Sequence, residues 1–305
     1  MFRDDSSRHE LTACRVICVG VNPAFDLTMT LDGLDGDRVN RVTHEHCRAA
    51  GKAANVACAL AHGGINAGLV GFYGEDNAEE WRRLFLARSE DKVPLHMITC
   101  PGAIRQNITL LAGGETVKIN RCGCIVSEGD IIRLEDCLSS CAGGDTGTKT
   151  AVFTGSLSPG LTGERYVRLM TDAARRGLRI ALDIDGLTRE QLAEVSPWLY
   201  KPNAHELARL TGADADDDDG LVEQARLLAE DGVGVVLLTL GERGLAAVTA
   251  EGTYRILPRP VTAVNTVGAG DAALAAFVAA EAEGCSVEEC ARRAARSGEQ
   301  AVTEQ

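Results

Sequence analysis

The chain has 305 residues, 45% of them hydrophobic and 25% charged, which is enough to bury a substantial core in one large domain or two small ones. Its formal net charge is −13 and the Lys and Arg residues are scattered, which argues against nucleic acid as a partner. No stretch approaches the roughly 20 apolar residues of a membrane span, and the polar, acidic start is unlike a signal peptide, so we expect a cytoplasmic protein with no membrane partner.

The first part of the chain predicts a buried strand, a half-exposed strand and a helix. Residues 1–13 are polar, and we predict a flexible N-terminal extension before a folded domain over 14–305. The apolar run 15–20 is typical of a buried parallel strand. Residues 27–31 alternate apolar and polar, which indicates a strand with one exposed face. An alanine-rich helix over 52–62 follows a glycine and ends at a double glycine.

Lys52 lies in the first turn of this helix, where the helix dipole is unfavourable to a cation. Asn55 follows three residues later on the same face. Two interpretations stay open at this point: the lysine binds an anionic ligand, or it is a surface lysine that happens to begin a helix.

Residues 104–120 predict a β-hairpin around a Gly-Gly turn. Arg105 and Asn107 share one face of the first strand, and Lys118 and Asn120 share a face of the second. Together with the preceding half-exposed strand, the hairpin would complete a small sheet. The charges are either solvated on an exposed hairpin, or they line the inner face of a lid that binds an anion.

From residue 150 onward, strands and helices alternate, which predicts a parallel sheet with helices on both faces. Ligands of such sheets bind at the carboxyl ends of the strands, where we place Asn203, Thr239 and Gly241. The predicted helices of this half cover about 163–176, 188–195, 204–210, 221–230, 270–283 and 287–302.

The segment 264–271 enters the apolar helix through the glycines Gly268 and Gly270. A helix start offers amides without intrahelical partners and a positive dipole end, so the amides of Gly268, Ala269 and Gly270 can hold a phosphate. Asp271 then lies beside the anion, where it can accept a proton from an attacking hydroxyl. The plainer alternative is a tight turn in which Asp271 is only a favourable charge at a helix start.

Eleven cysteines are present, but their number is odd and their spacing matches no zinc pattern or small disulfide framework. We interpret most of them as small buried hydrophobic residues. The His-Glu-His-Cys segment at 44–47 would alternate faces on an extended chain, and the acidic run 214–219 has the character of a surface loop. We predict no metal site at either segment.

Several of these segments, in this order, resemble the PfkB (ribokinase-like) family of carbohydrate kinases from about residue 15 to the C-terminus. The motifs near 265–271 and 50–57 are similar to those of the hexose-phosphate kinase branch, which includes 1-phosphofructokinase, tagatose-6-phosphate kinase and the minor 6-phosphofructokinase. The other matching segments are 22–28, 105–108, 155–160, 201–207 and 240–244.

The resemblance implies an α/β fold of the ribokinase-like type, with three α/β/α layers, a mostly parallel central sheet and a small β-sheet lid formed by about 24–47 and 103–122. It implies that Asp271 is the general base and that the amides of Gly268, Ala269 and Gly270 form the anion hole. The expected substrate-binding residues are Asp26, Gly51, Lys52, Asn55, Arg105, Asn107 and Lys118. The expected nucleotide-binding residues are Asn203, Glu206, Thr239, Gly241, Gly244 and Gly268, with Mg²⁺ near Glu206 through water and ATP as the phosphoryl donor.

Two departures from the family pattern bear on the substrate site. Ala50 and Ala53 stand where the family usually has glycine, which changes the shape of the site if either position needs a positive φ. Lys118 and Arg121 stand where the branch commonly has an acidic residue, which makes the lid more basic.

The resulting hypothesis is an ATP-dependent kinase that phosphorylates a hydroxyl of fructose 1-phosphate, tagatose 6-phosphate or fructose 6-phosphate. The alternatives are a kinase of an unphosphorylated sugar or nucleoside, and a non-catalytic sugar-phosphate sensor on the same fold. Because the lid strands present open edges, we also expect a homodimer that forms through the lid.

Overall fold

The computed structural model describes residues 9–142, 149–259 and 268–303. The strands are β1 Val16–Gly20, β2 Ala24–Leu31, β3 His44–Ala50, β4 Ala67–Gly74, β5 Leu95–Cys100, β6 Arg105–Ala112, β7 Glu115–Asn120, β8 Thr150–Thr154, β9 Arg179–Asp183, β10 Leu199–Tyr200, β11 Val235–Thr239, β12 Leu245–Val248 and β13 Thr253–Ile256. The helices are α1 Lys52–His62, α2 Ala78–Ser89, α3 Glu128–Ala142, α4 Gly163–Arg175, α5 Arg189–Val195, α6 Ala204–Thr211, α7 Asp218–Glu230, α8 Ala269–Ala282 and α9 Val287–Thr303.

The central sheet has nine strands in the order β13-β12-β11-β10-β9-β8-β1-β4-β5. The strands from β11 to β5 run parallel, whereas β12 and β13 are antiparallel and close one edge. Every residue of β1, β4 and β8 is buried, because helices cover both faces of the sheet. The carboxyl ends of the parallel strands therefore meet along one edge, which positions the site described below.

The core is divided by this sheet into two layers. On one side, Ile17 and Val19 of β1 pack in a cluster with residues of α3, α4, α5, α6 and α7. On the other side, Val16 and Cys18 pack with residues of α1, α2, α8 and α9. Successive residues of a strand point to opposite faces, so one apolar run supplies both layers. The predicted three-layer α/β/α fold is confirmed.

A second sheet has four strands in the order β3-β2-β6-β7. β2 pairs in parallel with β6, and the pairs β2–β3 and β6–β7 are antiparallel. In this register Asp26 lies opposite both Arg48 and Asn107, and Asn107 lies opposite Asn120. The predicted small β-sheet is therefore present, and one of its faces carries a row of polar side chains.

The predicted flexible extension over 1–13 is wrong for residues 9–13. Residues 9–12 are helical, and Leu11 is fully buried in the core. Lys149 is also buried, and its ammonium donates to the carbonyl of Thr12, so this segment is attached to the start of β8. Burial of one apolar side chain is enough to order a short polar turn, which composition alone does not reveal.

The interpretation of most cysteines as small buried hydrophobic residues holds, since eight of the eleven are buried. The remaining three are Cys122, which is exposed, and Cys47 and Cys285, which are half-buried. Among the described residues, no helix is both long and apolar enough to cross a membrane.

Candidate active site

The glycine turn opens α8 at the edge where the parallel strands end. Residues 264–267 of the predicted motif lie outside the described part of the chain, but Gly268 caps the helix with φ 88°, a left-handed conformation that favours glycine. The amide of Ala272 donates to the carbonyl of Gly268 at 2.9 Å and is the first bond of the helix. The amides of Ala269, Gly270 and Asp271 precede it and have no acceptor within the helix, as an anion site requires.

Asp271 lies in the first turn of α8 and is 6% exposed. Its Oδ2 accepts a hydrogen bond from the Asn55 amide at 2.7 Å. Burial raises its pKa to about 6, and repulsion from the nearby Asp183 acts in the same direction. The hydrogen bond from Asn55 and the charges of Lys52 and Lys201 partly offset this rise. The carboxyl group is therefore basic enough to take a proton and still mostly ionised at neutral pH.

Asp183 ends β9 and lies at the centre of a cluster of charges. It is 1% exposed, and the ammonium groups of Lys52 and Lys201 each lie 3.2 Å from its Oδ1. The hydroxyl of Thr154 donates to its Oδ2 at 3.1 Å. Burial alone would raise the pKa of Asp183, but Lys201 and Lys52 outweigh it and hold the pKa below its usual range.

Lys201 connects this cluster to the glycine turn. Its side chain is 5% exposed, and its Nζ lies 3.3 Å from the position that a Cβ would take on Gly270. The absence of a side chain at Gly270 therefore lets a buried ammonium approach the helix start. The approach adds positive charge to the end of α8 that its dipole already makes positive.

Lys52 begins α1, as the sequence predicted, and the structure gives a reason for its unfavourable position. Burial opposes its charge, but the nearby carboxylates of Asp183 and Asp271 raise its pKa above the usual value. The preceding Gly51 has φ 118°, and a Cβ there would lie 3.1 Å from Pro23 Cα, so this position of the turn requires glycine.

Ala50 and Ala53 do not have the strained conformation that their departure from the family pattern suggested. Among the described residues, positive φ outside glycine occurs only at Glu90, Asp91 and Ser196. Both alanines are buried in ordinary backbone, and both line the cavity beside Lys52. Their methyl groups therefore narrow this cavity without distorting the turn.

The polar row of the small sheet begins beside this cavity. Asp26 accepts from Arg48 at 3.1 Å on Oδ2 and from the Asn107 amide at 2.9 Å on Oδ1. Lys118 lies on the same face but opposite Thr109, in the next row of side chains along the strands, and is exposed on the edge strand β7. The register thus brings Asp26 and Asn107 together and leaves Lys118 apart from them.

Arg105 begins β6 and lines the cavity together with Lys52. Its Nε and the Oδ1 of Asn107 are buried without a hydrogen-bond partner in the described part of the structure. Burial lowers the pKa of Arg105, and Asp26 works against this effect. Buried polar atoms without partners are costly, so these two atoms indicate that a polar ligand completes the site. The cavity is also lined by Asn22, Gly51, Thr154 and Gly155.

Asn203 and Glu206 lie at the start of α6 and bond to each other's backbone. The Asn203 side chain accepts from the Glu206 amide at 2.9 Å, and Glu206 Oε2 accepts from the Asn203 amide at 2.8 Å. This capping box uses Asn203 Oδ1 and Glu206 Oε2 and leaves Asn203 Nδ2 and Glu206 Oε1 for other partners. Thr239, at the end of β11, forms a bridge with Asn203, so the predicted nucleotide residues are adjacent.

Gly241 and Gly244 bound a short turn after β11, and Gly244 packs against the end of β13. A Cβ on Gly244 would lie 2.3 Å from the carbonyl oxygen of Ile256. A second cavity lies between the end of β13 and α9. It is lined by Arg255, Arg259, Arg292, Arg296, Leu257 and Glu299.

Sequence reasoning missed three charged residues of this site: Asp183, Lys201 and Arg48. The first two directly end or follow predicted strands, so the rule that ligands bind at the carboxyl ends of strands could have found them. Arg48 carried no comparable signal, because its contact with Asp26 depends on the pairing of β2 with β3.

A helix start that can bind an anion, next to a buried carboxylate with a raised pKa, is the arrangement by which kinases activate an alcohol, and the fold and site place the chain in this class. The chain belongs to the pfkB family of carbohydrate kinases, whose sequence profile matches residues 15–305. The predicted family is thus confirmed, and with it the prediction of a carbohydrate kinase.

Individual relatives agree with this assignment. The chain is 31% identical to the 1-phosphofructokinase of Rhodobacter capsulatus over 282 residues, which cover 92% of this chain and 88% of the relative. It is 32% identical to the 1-phosphofructokinase of Escherichia coli K12 over 269 residues, which cover 87% and 83%. The crystal structure of Escherichia coli phosphofructokinase-2 in complex with fructose-6-phosphate superposes with a TM-score of 0.84 at 26% identity, covering 95% of this chain and 94% of that one.

Proposed function

We propose that the protein transfers the γ-phosphoryl group of ATP to a hydroxyl of a sugar phosphate, with fructose 1-phosphate, fructose 6-phosphate and tagatose 6-phosphate as the candidates. The observation that carries this proposal is the pair of cations, Lys52 and Arg105, in one cavity beside Asp271. Such a pair compensates the charge of a substrate phosphate. The names of the relatives, which act on or bind phosphorylated fructose, support the same class.

In the proposed reaction, Asp271 accepts the proton of the attacking sugar hydroxyl. Asn55 occupies its Oδ2, which leaves Oδ1 for that proton. The amides of Gly268, Ala269 and Gly270 bind the oxygens of the transferring group as their charge develops, and the ammonium of Lys201 adds positive charge at the same helix start. Because the site is buried, these interactions act in a medium of low dielectric constant, where they are strong.

The small sheet would hold the sugar and exclude water. Asp26 and Asn107 present oxygen and nitrogen atoms to sugar hydroxyls, and Gly51 allows the backbone of the turn to approach the ligand. The bond from Arg48 to Asp26 keeps this carboxylate oriented. Lys118, on the edge strand β7, would contact the phosphate only when the sheet closes over the substrate.

The nucleotide would lie along Asn203, Thr239, Gly241 and Gly244, with its phosphates directed to Gly268. Glu206 Oε1 is outside the capping box and fits a Mg²⁺ ion held through water. No group of three potential metal ligands exists among the residues that the structure describes. A single carboxylate oxygen such as Glu206 Oε1 suits a magnesium ion whose other ligands are mainly phosphate oxygens and water. When bound, the ion neutralises charge on the phosphates.

The two alternatives explain less of the site. A kinase of an unphosphorylated sugar or nucleoside has no use for both Lys52 and Arg105 in one cavity. A non-catalytic sensor has no use for a buried carboxylate such as Asp271, whose ionisation is costly and which sits beside a helix start that can bind an anion.

The proposal is tested by measuring ADP release with five acceptors: fructose 1-phosphate, fructose 6-phosphate, tagatose 6-phosphate, fructose and ribose. We expect at least one sugar phosphate to exceed the two free sugars by orders of magnitude in kcat/KM. If none of the five promotes ADP release while a sugar phosphate still binds, the sensor alternative is correct.

Within the same assay, Arg105→Ala should raise the KM for the sugar phosphate roughly 10- to 100-fold, because it removes a charge-assisted contact. The KM for ATP should change by no more than about twofold. Arg121→Ala is the matched control, since Arg121 is an exposed arginine directly after β7 that donates to Gln106. Equal increases in both KM values would contradict a contact between Arg105 and the substrate phosphate.

We also propose that the protein forms a homodimer through the small sheet. Of the nine exposed large hydrophobic residues in the described structure, five lie in this sheet or in the β2–β3 connection, and β3 and β7 leave open edges. Sedimentation velocity should show a dimer that Val39→Asp shifts toward monomer. A wild-type monomer at micromolar concentration would refute the proposal. The five residues are Leu34, Val39, Val42, Leu111 and Ile119.

A further inference from the structure

A chain of two hydrogen bonds connects Asp271 to an arginine that lies outside the catalytic cavity. Arg88 is in the last turn of α2, and its NH1 donates to the Oδ1 of Asn55 at 2.8 Å and to the carbonyl of Ala49 at 3.0 Å. Asn55 in turn donates from Nδ2 to Oδ2 of Asp271 at 2.7 Å. Arg88 thus reaches the proposed general base through one side-chain amide.

We propose that Arg88 is a positioning residue for phosphoryl transfer, which holds the Asn55 amide in the orientation that donates to Asp271. The inference rests on the proposed function, in which Asp271 accepts the hydroxyl proton. A guanidinium group has five N–H donors and no acceptor, so it can bond only to the oxygen of an amide. With Oδ1 held by Arg88, the NH₂ group of Asn55 must face Asp271.

The opposite orientation would place the oxygen of Asn55 against a carboxylate and its NH₂ group against a cation. Both contacts are repulsive, and both would lie in a half-buried region where unsatisfied polar groups are costly. An asparagine without Arg88 could adopt either orientation. Arg88 therefore selects one of the two orientations of the Asn55 amide. They have nearly the same shape, but one presents a hydrogen-bond donor to Asp271 and the other an acceptor.

The selected arrangement affects both the geometry and the acidity of Asp271. It occupies Oδ2 and directs the free Oδ1 toward the acceptor hydroxyl. A donated hydrogen bond also stabilises the ionised carboxylate, which works against the burial and the Asp183 charge that raise the pKa of Asp271. Burial lowers the pKa of Arg88 itself, but an arginine stays protonated throughout the working range of pH.

Other charged groups act on the same two side chains and must be kept constant. Asp183, Lys52 and Lys201 face Asp271, while Cys58, Arg48 and Asp26 lie near Arg88. None of them bonds to Asn55 in the described structure, so Arg88 and Asn55 can be varied without removing any ion pair of this cluster.

The test replaces Arg88 with methionine, which keeps the length of the side chain and removes the donors. The acid limb of kcat should move to higher pH by about one unit, because Asp271 loses a hydrogen bond to its charged form. The KM for ATP should stay unchanged. Arg83→Met, an exposed arginine of the same helix, is the matched control and should leave the acid limb in place.

Two further variants separate positioning from a purely structural role. In an Asn55→Ala background, Arg88→Met should cause no additional shift of the acid limb, since the amide through which Arg88 acts is gone. Arg88→Lys keeps a cationic donor without the guanidinium geometry, so its acid limb should move upward by less than that of Arg88→Met, and this smaller shift is the test if Arg88→Met does not fold. An Arg88→Met enzyme that is less stable but keeps the wild-type acid limb would overturn the proposal.

A measurement without turnover distinguishes this inference from the proposed function. The titration of the Asp271 carboxyl carbon can be followed by NMR in protein labelled with ¹³C-aspartate and assigned by its loss in Asp271→Asn. If no sugar phosphate is phosphorylated, the proposed function fails, but a higher titration midpoint in Arg88→Met still supports the coupling. Identical midpoints in the two proteins contradict it.

Discussion

Asp271→Asn is expected to lower kcat by roughly 10²- to 10⁴-fold, the contribution of a positioned general base. The side chain keeps its size, and the glycine turn keeps its amides, so ATP binding should remain largely intact. Single-turnover ADP formation and equilibrium nucleotide binding measure the two effects. Asp136→Asn, at an exposed position of α3, is the control. Preserved turnover with lost nucleotide affinity would contradict the role of Asp271.

The same substitution should increase stability at neutral pH. The pKa of Asp271 is raised from 3.8 to about 6 in the folded protein, so keeping it ionised costs about 3 kcal/mol above pH 6. Asparagine removes this cost. The gain in the free energy of unfolding should be largest above pH 6, decrease as the pH falls, and vanish below about pH 4, where the carboxyl group is protonated in both states. Chemical denaturation at pH 4 and pH 8 tests this dependence.

Asp183→Asn is expected to have the largest effect on stability, a loss of about 3–5 kcal/mol in the free energy of unfolding. It removes the charge that compensates Lys201, whose side chain is buried. Lys52 is 43% exposed, so its ion pair with Asp183 contributes little to stability because solvent screens it. Because the pKa of Asp183 is depressed, its contribution is present above about pH 4 and is lost as the pH falls through the folded value. The loss measured by chemical denaturation should therefore shrink in acid.

The pH dependence of the Asp183→Asn enzyme separates the effect of the Asp183 charge on Asp271 from the effect of the substitution on packing. Asp183 repels Asp271, so its removal should move the acid limb of kcat to lower pH, opposite to the shift expected for Arg88→Met. Asp185→Asn, which breaks the surface pair with Arg209, is the control and should change stability by less than about 1 kcal/mol. An acid limb that moves upward in Asp183→Asn would contradict the assignment of this repulsion.

Much of the fold could be predicted from the sequence because its signals are local. Apolar runs bounded by glycine marked the buried strands, and the period of two in the hairpin placed Arg105 and Asn107 on one face, as the register of β6 with β2 confirms. The elements that were not predicted include β5, whose short sequence lacks a clear period, and α3, although Ser127 and Asp130 form a capping box at its start that the sequence could have indicated.

The ion pairs among the charges around Asp271 could not be predicted from local patterns, because the order of the strands brings these charges together. Lys52 and Asp183 are 131 residues apart in the chain, and their ion pair exists only because β1, β8 and β9 are neighbours in the sheet. The sequence pattern singled out Lys52 at the helix start, but it did not indicate Asp183 as its partner. Asn203 and Glu206 are the opposite case. Their capping box follows from a local sequence pattern, and it accounts for part of the side-chain bonding that we assigned entirely to a ligand.

The chain passes between the small sheet and the main body at residues 21–23, 51, 101–104 and 121–127, while Asp271, Asp183 and both lysines belong to the main body. In the proposed function, Asp26 and Asn107 of the small sheet thus recognise hydroxyls of the acceptor, while the main body accepts the proton and supplies Lys52 for the phosphate. Substitutions at Asn107 and Lys118 can retune which sugar fits, while the groups that bond to Asp271 stay the same. Such a division allows acceptor preference to diverge quickly between relatives that share one chemical step.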